Sequence, residues 1–152
     1  MVTGDVSREE VERQRVAEQG VAAMWAGDRA SKALGMQVEE VRPGHGVVSM
    51  TVRDDMVNGW DLCHGGLIAA LADSAFAVAC NGYGEVTVGA GFDITILESA
   101  RLGDRLVATA VERARRGRSG VYDVTVRRDS DGAVVAEFRG RSRSTGRPIP
   151  LA

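Results

Sequence analysis

Residues 67–80, LIAALADSAFAVAC, constrain the fold more than any other part of the chain. Alanine and leucine give the run strong helix propensity, and Asn81-Gly82 ends it. Wound into a helix, it is apolar almost all the way round. Such a helix has no face suited to water and must be buried over most of its circumference, so the rest of the chain has to enclose it. At 152 residues there is enough chain to do this within one domain.

The flanking segments supply the enclosure. Ser7 and Glu10 stand in capping-box spacing and open a helix that continues past Val11, Ala17 and Val21 to Met24 and Trp25, amphipathic toward its end. Residues 36–52 change to β-branched alternation around Pro43-Gly44, which predicts a hairpin. A loop over 58–66 leads into the apolar helix. After it, segments 85–97, 104–113, 120–128 and 133–143 alternate with period two, the last two joined by a tight turn at Asp131-Gly132. In the first of these, Val86, Val88, Ala90, Phe92, Ile94 and Ile96 are expected to share the face that meets the helix. The pattern is α+β: a curved antiparallel sheet wrapped around a central helix, with an N-terminal helix besides, which is the hotdog architecture. One domain spans 1–152, with 1–6 and 146–152 as loose tails.

Composition excludes several classes of function. A net charge of −2 with mixed signs gives no general attraction to nucleic acid. No apolar run reaches the ~18 residues of a membrane-spanning helix, and the polar start is unlike a signal peptide, so a cytoplasmic location is expected. Cys63 and Cys80 lack a CxxC partner or neighbouring histidine ligands; both read as reduced, Cys80 buried, with neither zinc nor a disulfide framework expected.

Asp73 interrupts the apolar helix. A carboxylate there is retained either because hydrogen bonds satisfy it or because it acts on something. Ahead of the helix, Gly65 and Gly66 allow close approach to the backbone where unpaired N–H groups and the helix dipole favour developing negative charge, the requirements of an oxyanion hole; two glycines also serve as a plain turn. His64 is either a general base or, the favoured reading, a residue that holds the loop by hydrogen bonding. Asn58 offers an amide to orient a carbonyl or a water, although Asn-Gly is also a common turn. Ser74 offers a hydroxyl beside the acid, or bonds its own helix. The cluster Arg113, Arg115, Arg116, Arg118, with Gly117 at its turn, suits phosphate groups such as those of CoA, or is a solvated hairpin tip.

Asn58-Gly59, Cys63-His64-Gly65-Gly66, Leu71-Ala72-Asp73-Ser74-Ala75-Phe76 and Ala79-Cys80-Asn81 together resemble the phenylacetic-acid-degradation (PaaI-type) hotdog thioesterases. The likeness extends to Ala33-Leu34-Gly35-Met36, Gly103-Asp104, Gly120-Val121-Tyr122-Asp123 and Phe138-Arg139-Gly140, and so covers roughly 21–146. It implies hydrolysis of aryl-acetyl-CoA thioesters to free acid and CoA. Asp73 would be nucleophile or general base, the Gly65 amide the oxyanion donor, and Asn58 the family's asparagine. His64 joins this catalytic set, and Gly66, Ser74, Arg116, Gly117 and Arg118 the substrate-binding set. The resemblance further implies a homodimer whose sites are shared between subunits, pairing into a homotetramer. No cofactor or metal is implied, because CoA enters as part of the substrate. Trp60 and Glu98-Ser99-Ala100 depart from the family pattern, the latter standing where Arg-Pro-Gly is expected, and both bear on acyl preference.

Other readings remain open: a hotdog thioesterase for another acyl group, a hydratase-dehydratase, a non-catalytic acyl-CoA or small-ligand binding protein, or a structural partner subunit. A hydratase needs a histidine close to its acid. None follows Asp73, and His45 lies in the hairpin turn.

Overall fold

A computed structural model describes residues 6–151. Helix α1 (Arg8–Ala26) starts on the expected capping box: Ser7 Oγ accepts from the Glu10 amide at 3.1 Å, and Glu10 Oε2 accepts from the Ser7 amide at 2.9 Å. It buries Ala17, Gly20 and Val21. A short helix α2 (Arg29–Ala33) follows, capped by Asp28. The hairpin is β1 (Gln37–Arg42) and β2 (His45–Thr51). A single 3-10 turn, Asp54–Met56, precedes the central helix α3 (Gly65–Asn81). Strands β3 (Glu85–Ile96), β4 (Arg105–Arg116), β5 (Ser119–Arg128) and β6 (Val134–Pro148) complete one antiparallel sheet in the order β1-β2-β4-β5-β6-β3.

Helix α3 packs against all six strands, as its composition requires. Ile68, Leu71, Ala72, Ala75, Phe76, Val78 and Ala79 are buried in the concavity. Phe76 meets Tyr122 edge-on at 5.4 Å and lies 5.9 Å from Phe138. None of the described helices is long and apolar enough to cross a membrane. Both cysteines are free and buried.

Three expectations need correction. Helix α3 begins at Gly65, two residues earlier than the apolar run, because His64 already takes the N-cap position and its carbonyl accepts from the Leu67 and Ile68 amides. The C-terminal segment is not loose through its first half: β6 continues to Pro148 beside β3, and the buried Ile149 donates its amide to the Gly84 carbonyl. Of the N-terminal tail, residues 1–5 lie outside the described residues, as does Ala152.

The third correction concerns β3. Its register against β6 slips between Gly89 and Gly91, a bulge that reverses the alternation. Before the bulge the helix-facing side is that of Gly89, where an added Cβ would lie 3.4 Å from Phe76. Beyond it, Phe92 stacks on Phe138 at 4.8 Å and Ile94 packs on the core. The six apolar residues expected on one face are therefore split, with Val86 and Val88 on the opposite side from Phe92, Ile94 and Ile96.

The two sheet edges differ. Strand β1 is short, bulged and charged, and Gln14 of α1 donates to its Val41 carbonyl at 2.8 Å. Strand β3 is twelve residues long and leaves Val88, Phe92 and Ile96 about half exposed.

Candidate functional site

At the N-terminal end of α3, Asn58, Leu62, Cys63, Gly65, Ile68, Ile96, Leu97, Glu98 and Ser99 line a cleft of about 390 Å³. Its floor is fixed by backbone pairing: His64 N–H donates to Met56 O at 2.8 Å and Cys63 N–H to Ala100 O at 2.7 Å. The amides of Gly65 and Gly66, in the first turn of the helix, meet no backbone acceptor among the described residues. A Cβ at position 65 would stand 2.8 Å from Ile96 Cδ1, so the end of that half-exposed side chain would have to move; position 66 is open.

Asn58 folds the 58–62 loop onto itself. Its Oδ1 accepts from the Trp60 amide at 2.9 Å and the Leu62 amide at 3.2 Å. With the oxygen committed to two N–H donors, the amide orientation is settled and Nδ2 is the free end. The cleft thus gathers two kinds of donor, a backbone N–H at the positive end of a helix and a side-chain amide. Cys63 is no nucleophile in it, because burial pushes its thiol above the usual range and keeps it neutral.

Asp73 is not in this cleft. It stands eight residues beyond Gly65 on the same helix, about 12 Å along the axis. It projects from the one open strip of α3, the side that also carries Gly66, Ala69, Ala70 and Ala77. Although solvent reaches it, the surrounding protein raises its carboxyl pKa by desolvation, and the Asp28 carboxylate adds to the rise. Ser74 turns toward α2, where its Oγ lies 2.9 Å from Ser31 Oγ.

The remaining expected residues are dispersed. His64 is exposed and faces a neighbouring depression with Asp55, Met56, Val57, Gly66 and Leu67. The loop is held by its backbone, not by its imidazole: the ring caps no helix amide. Arg116, Gly117 and Arg118 form the β4–β5 turn, close to Cys80, Tyr83, Ser142 and Ser144 at the other end of α3. That end is about 25 Å from the Asn58 cleft by helix rise. Of the four clustered arginines, Arg113 pairs with Asp123 at 3.4 Å and Arg115 lies 3.5 Å over the Tyr83 ring. Arg116 and Arg118 enter no ion pair among the described residues.

Sequence reasoning did not single out the walls supplied by Leu62, Ile68, Ile96 and Leu97, nor the contact of Ser74 with α2. The departure at Glu98-Ser99 was a signal for the wall, since those two residues close the cleft.

A family model described as the thioesterase superfamily matches residues 61–135, which include Gly65, Asp73 and the arginine turn. The acyl-coenzyme A thioesterase PaaI of Escherichia coli K12 is 41% identical over 133 residues, spanning 88% of this chain and 94% of that protein. The solved structure of the E. coli PaaI protein from the phenylacetic acid degradation operon superposes with a TM-score of 0.87 at 39% identity, covering 90% of this chain and 99% of that one. A Streptococcus mutans UA159 protein solved bound to acetyl CoA superposes with a TM-score of 0.70 at 26% identity, covering 74% of this chain and 90% of that one.

Proposed function

The chain belongs to the thioesterase superfamily, in its PaaI-type branch, and from this premise we propose that it hydrolyses acyl-CoA thioesters of the aryl-acetyl kind in a site shared by two subunits. One observation carries the proposal: the acid lining the cleft of the oxyanion donors, Glu98, is turned onto the Ser99 amide and hydroxyl, while Asp73 stands about 12 Å away on an open face. Neither half can hydrolyse a thioester alone. Two copies related by a two-fold axis, with their α3 helices side by side and antiparallel, bring the N-terminal end of one helix beside the middle and C-terminal end of the other. The partner subunit's Asp73 then faces this chain's Gly65 and Asn58, and the partner's Arg116–Arg118 turn comes to the same side. The exposed apolar edge of β3 supports such pairing. Pairs of dimers give the proposed tetramer.

In this arrangement the thioester carbonyl oxygen points at the Gly65 N–H, with Asn58 Nδ2 as a second donor, where helix-end polarity favours the charge that develops on attack. Asp73 works in one of two ways. As nucleophile, its carboxylate oxygen bonds to the carbonyl carbon, the C–S bond breaks with the electron pair leaving on the CoA sulfur, and water then hydrolyses the mixed anhydride. As general base, it takes a proton from a water that attacks the carbonyl directly. Its raised proton affinity suits the second role. Arg116 and Arg118 are free to hold CoA phosphates, with the Gly117 turn giving room, while Gly66 borders the entrance. His64, exposed beside that entrance, has reach only to the substrate's periphery. No cofactor is needed, since CoA is the leaving group, and a cytoplasmic setting suits such a substrate.

The test is thiol release from phenylacetyl-CoA, hydroxyphenylacetyl-CoA, benzoyl-CoA and a medium-chain acyl-CoA by wild type and Asp73→Asn. Wild type should favour the aryl-acetyl esters, and Asp73→Asn should lose roughly 10²–10⁴-fold in rate while remaining folded. Wild-type-like turnover by the variant would sink the mechanism. Tight binding without release would make the protein an acyl-CoA binder.

A further inference from the structure

Beside Asp73, a chain of hydroxyl groups leads out of the helix. Ser74 Oγ and Ser31 Oγ are 2.9 Å apart, and Ser31 Oγ lies 2.7 Å from Asp28 Oδ2. Asp28 Oδ1 accepts the Ser31 amide at 2.9 Å as the cap of α2. An ionised carboxylate can only accept, so Ser31 must spend its one hydroxyl proton on Asp28. Its oxygen is then left as an acceptor toward Ser74, and Ser74 must donate. The order of protons is fixed from Ser74 to Ser31 to Asp28. Of the two cations on the same short helix, Lys32 sends its amine to the Ala26 carbonyl and Arg29 enters no ion pair among the described residues. Ser31 is buried, which shields the relay from water that would otherwise scramble it.

We propose that Asp28 is a positioning residue for the hydrolysis: through Ser31 it turns the Ser74 hydroxyl proton away from the acyl site and leaves the Ser74 oxygen as a fixed acceptor beside Asp73. An acceptor there holds the attacking water by one O–H while Asp73 takes the other proton, leaving the water's lone pair for the carbonyl carbon. A freely rotating serine would spend part of its time donating to that same water or to Asp73, which weakens the base. The arrangement rests on the thioesterase reading and extends it to a residue outside the family-matched region, since Asp28 and Ser31 precede residue 61. Asp28 also contributes to the raised proton affinity of Asp73, which places its charge within electrostatic reach of the site.

The experiment is a double-mutant cycle on acyl-CoA turnover with Asp28→Asn, Ser74→Ala and the pair combined, each checked by thermal melting. Asparagine caps a helix as well as aspartate, so α2 is preserved. Asp28→Asn should lower kcat roughly fivefold, the size of one neutral hydrogen bond, with KM unchanged. In the Ser74→Ala background the same substitution should have no further effect. Ser31→Ala, which keeps the Asp28 cap, should reproduce the Asp28→Asn loss and serves in its place if that variant folds poorly. Independent, multiplying effects, or wild-type kcat in both Asp28→Asn and Ser31→Ala, would overturn the relay while leaving the thioesterase reading intact. Absence of turnover by wild type overturns both.

Discussion

At Asp73, burial first and the Asp28 carboxylate second push the carboxyl pKa above its ordinary value. The sign of the consequence follows from linkage. A folded-state pKa above the unfolded one means that protonation favours the fold; that contribution is complete below the unfolded pKa and is lost as pH rises through the folded one. At neutral pH the ionised carboxylate therefore works against stability. Asp73→Asn should melt above wild type at pH 7, and the gap should close as pH falls to about 4, the ordinary carboxylate range. Equal gaps at both pH values would mean that the carboxylate is no burden to the fold. Asp73 was legible in the sequence because an acid inside an apolar run stands out against its neighbours and must be either satisfied or at work. Asp28 was not. Its local sequence reads only as a helix cap, and its link to Ser74 arises from how α2 docks on α3, which no local pattern encodes. Ser74 was legible as a hydroxyl beside the acid, but its partner Ser31, distant in the chain, was not.

Among the elements, the contact between α3 and β3 ties the proposed oxyanion donor, Gly65, to the sheet. Because Ile96 Cδ1 lies 2.8 Å from the Cβ that Gly65 lacks, Gly65→Ala must push the end of the half-exposed Ile96 side chain aside or shift the first turn of α3. Where the turn gives way, a misplacement of about 1 Å in the reacting geometry costs up to about 10²-fold in rate. Ile96→Val removes the offending methyl, so the double variant Gly65→Ala/Ile96→Val should recover part of the lost kcat in the thiol-release assay. No recovery would place the defect elsewhere. Element types and order were readable from periodicity and turn residues, down to the capping box of α1, except for the short helix α2, whose five residues carry no periodic apolar pattern. The facing of β3 was not, because alternation carries through Gly89-Ala90-Gly91 on paper, whereas the bulge inserts an extra residue against β6. The continuation of β6 to Pro148 was hidden for a related reason: Arg, Ser, Thr and Gly in 141–148 carry no apolar alternation, and the strand persists there because β3 lies alongside.

For the molecule as a whole, a site built from two copies makes a prediction that no single-chain site can meet. Subunits carrying Asp73→Asn and subunits carrying Gly65→Ala are each defective, but a mixed dimer holds one site with both residues intact. Unfolding, mixing and refolding the two at equal concentration should restore about a quarter of wild-type activity, since half the dimers are mixed and each has one good site of two. Activity that stays at the level of the parents would confine the site to one chain. The two edges of the sheet bear on how far such assembly can run. Among the described residues β1 is bulged, charged and met by Gln14, whereas β3 is long and apolar, so a copy that joins edge to edge through β3 uses up the more open margin of each molecule. Strand addition through β3 would then stop at a pair, and the protected β1 margin withholds the second edge that a fibre needs.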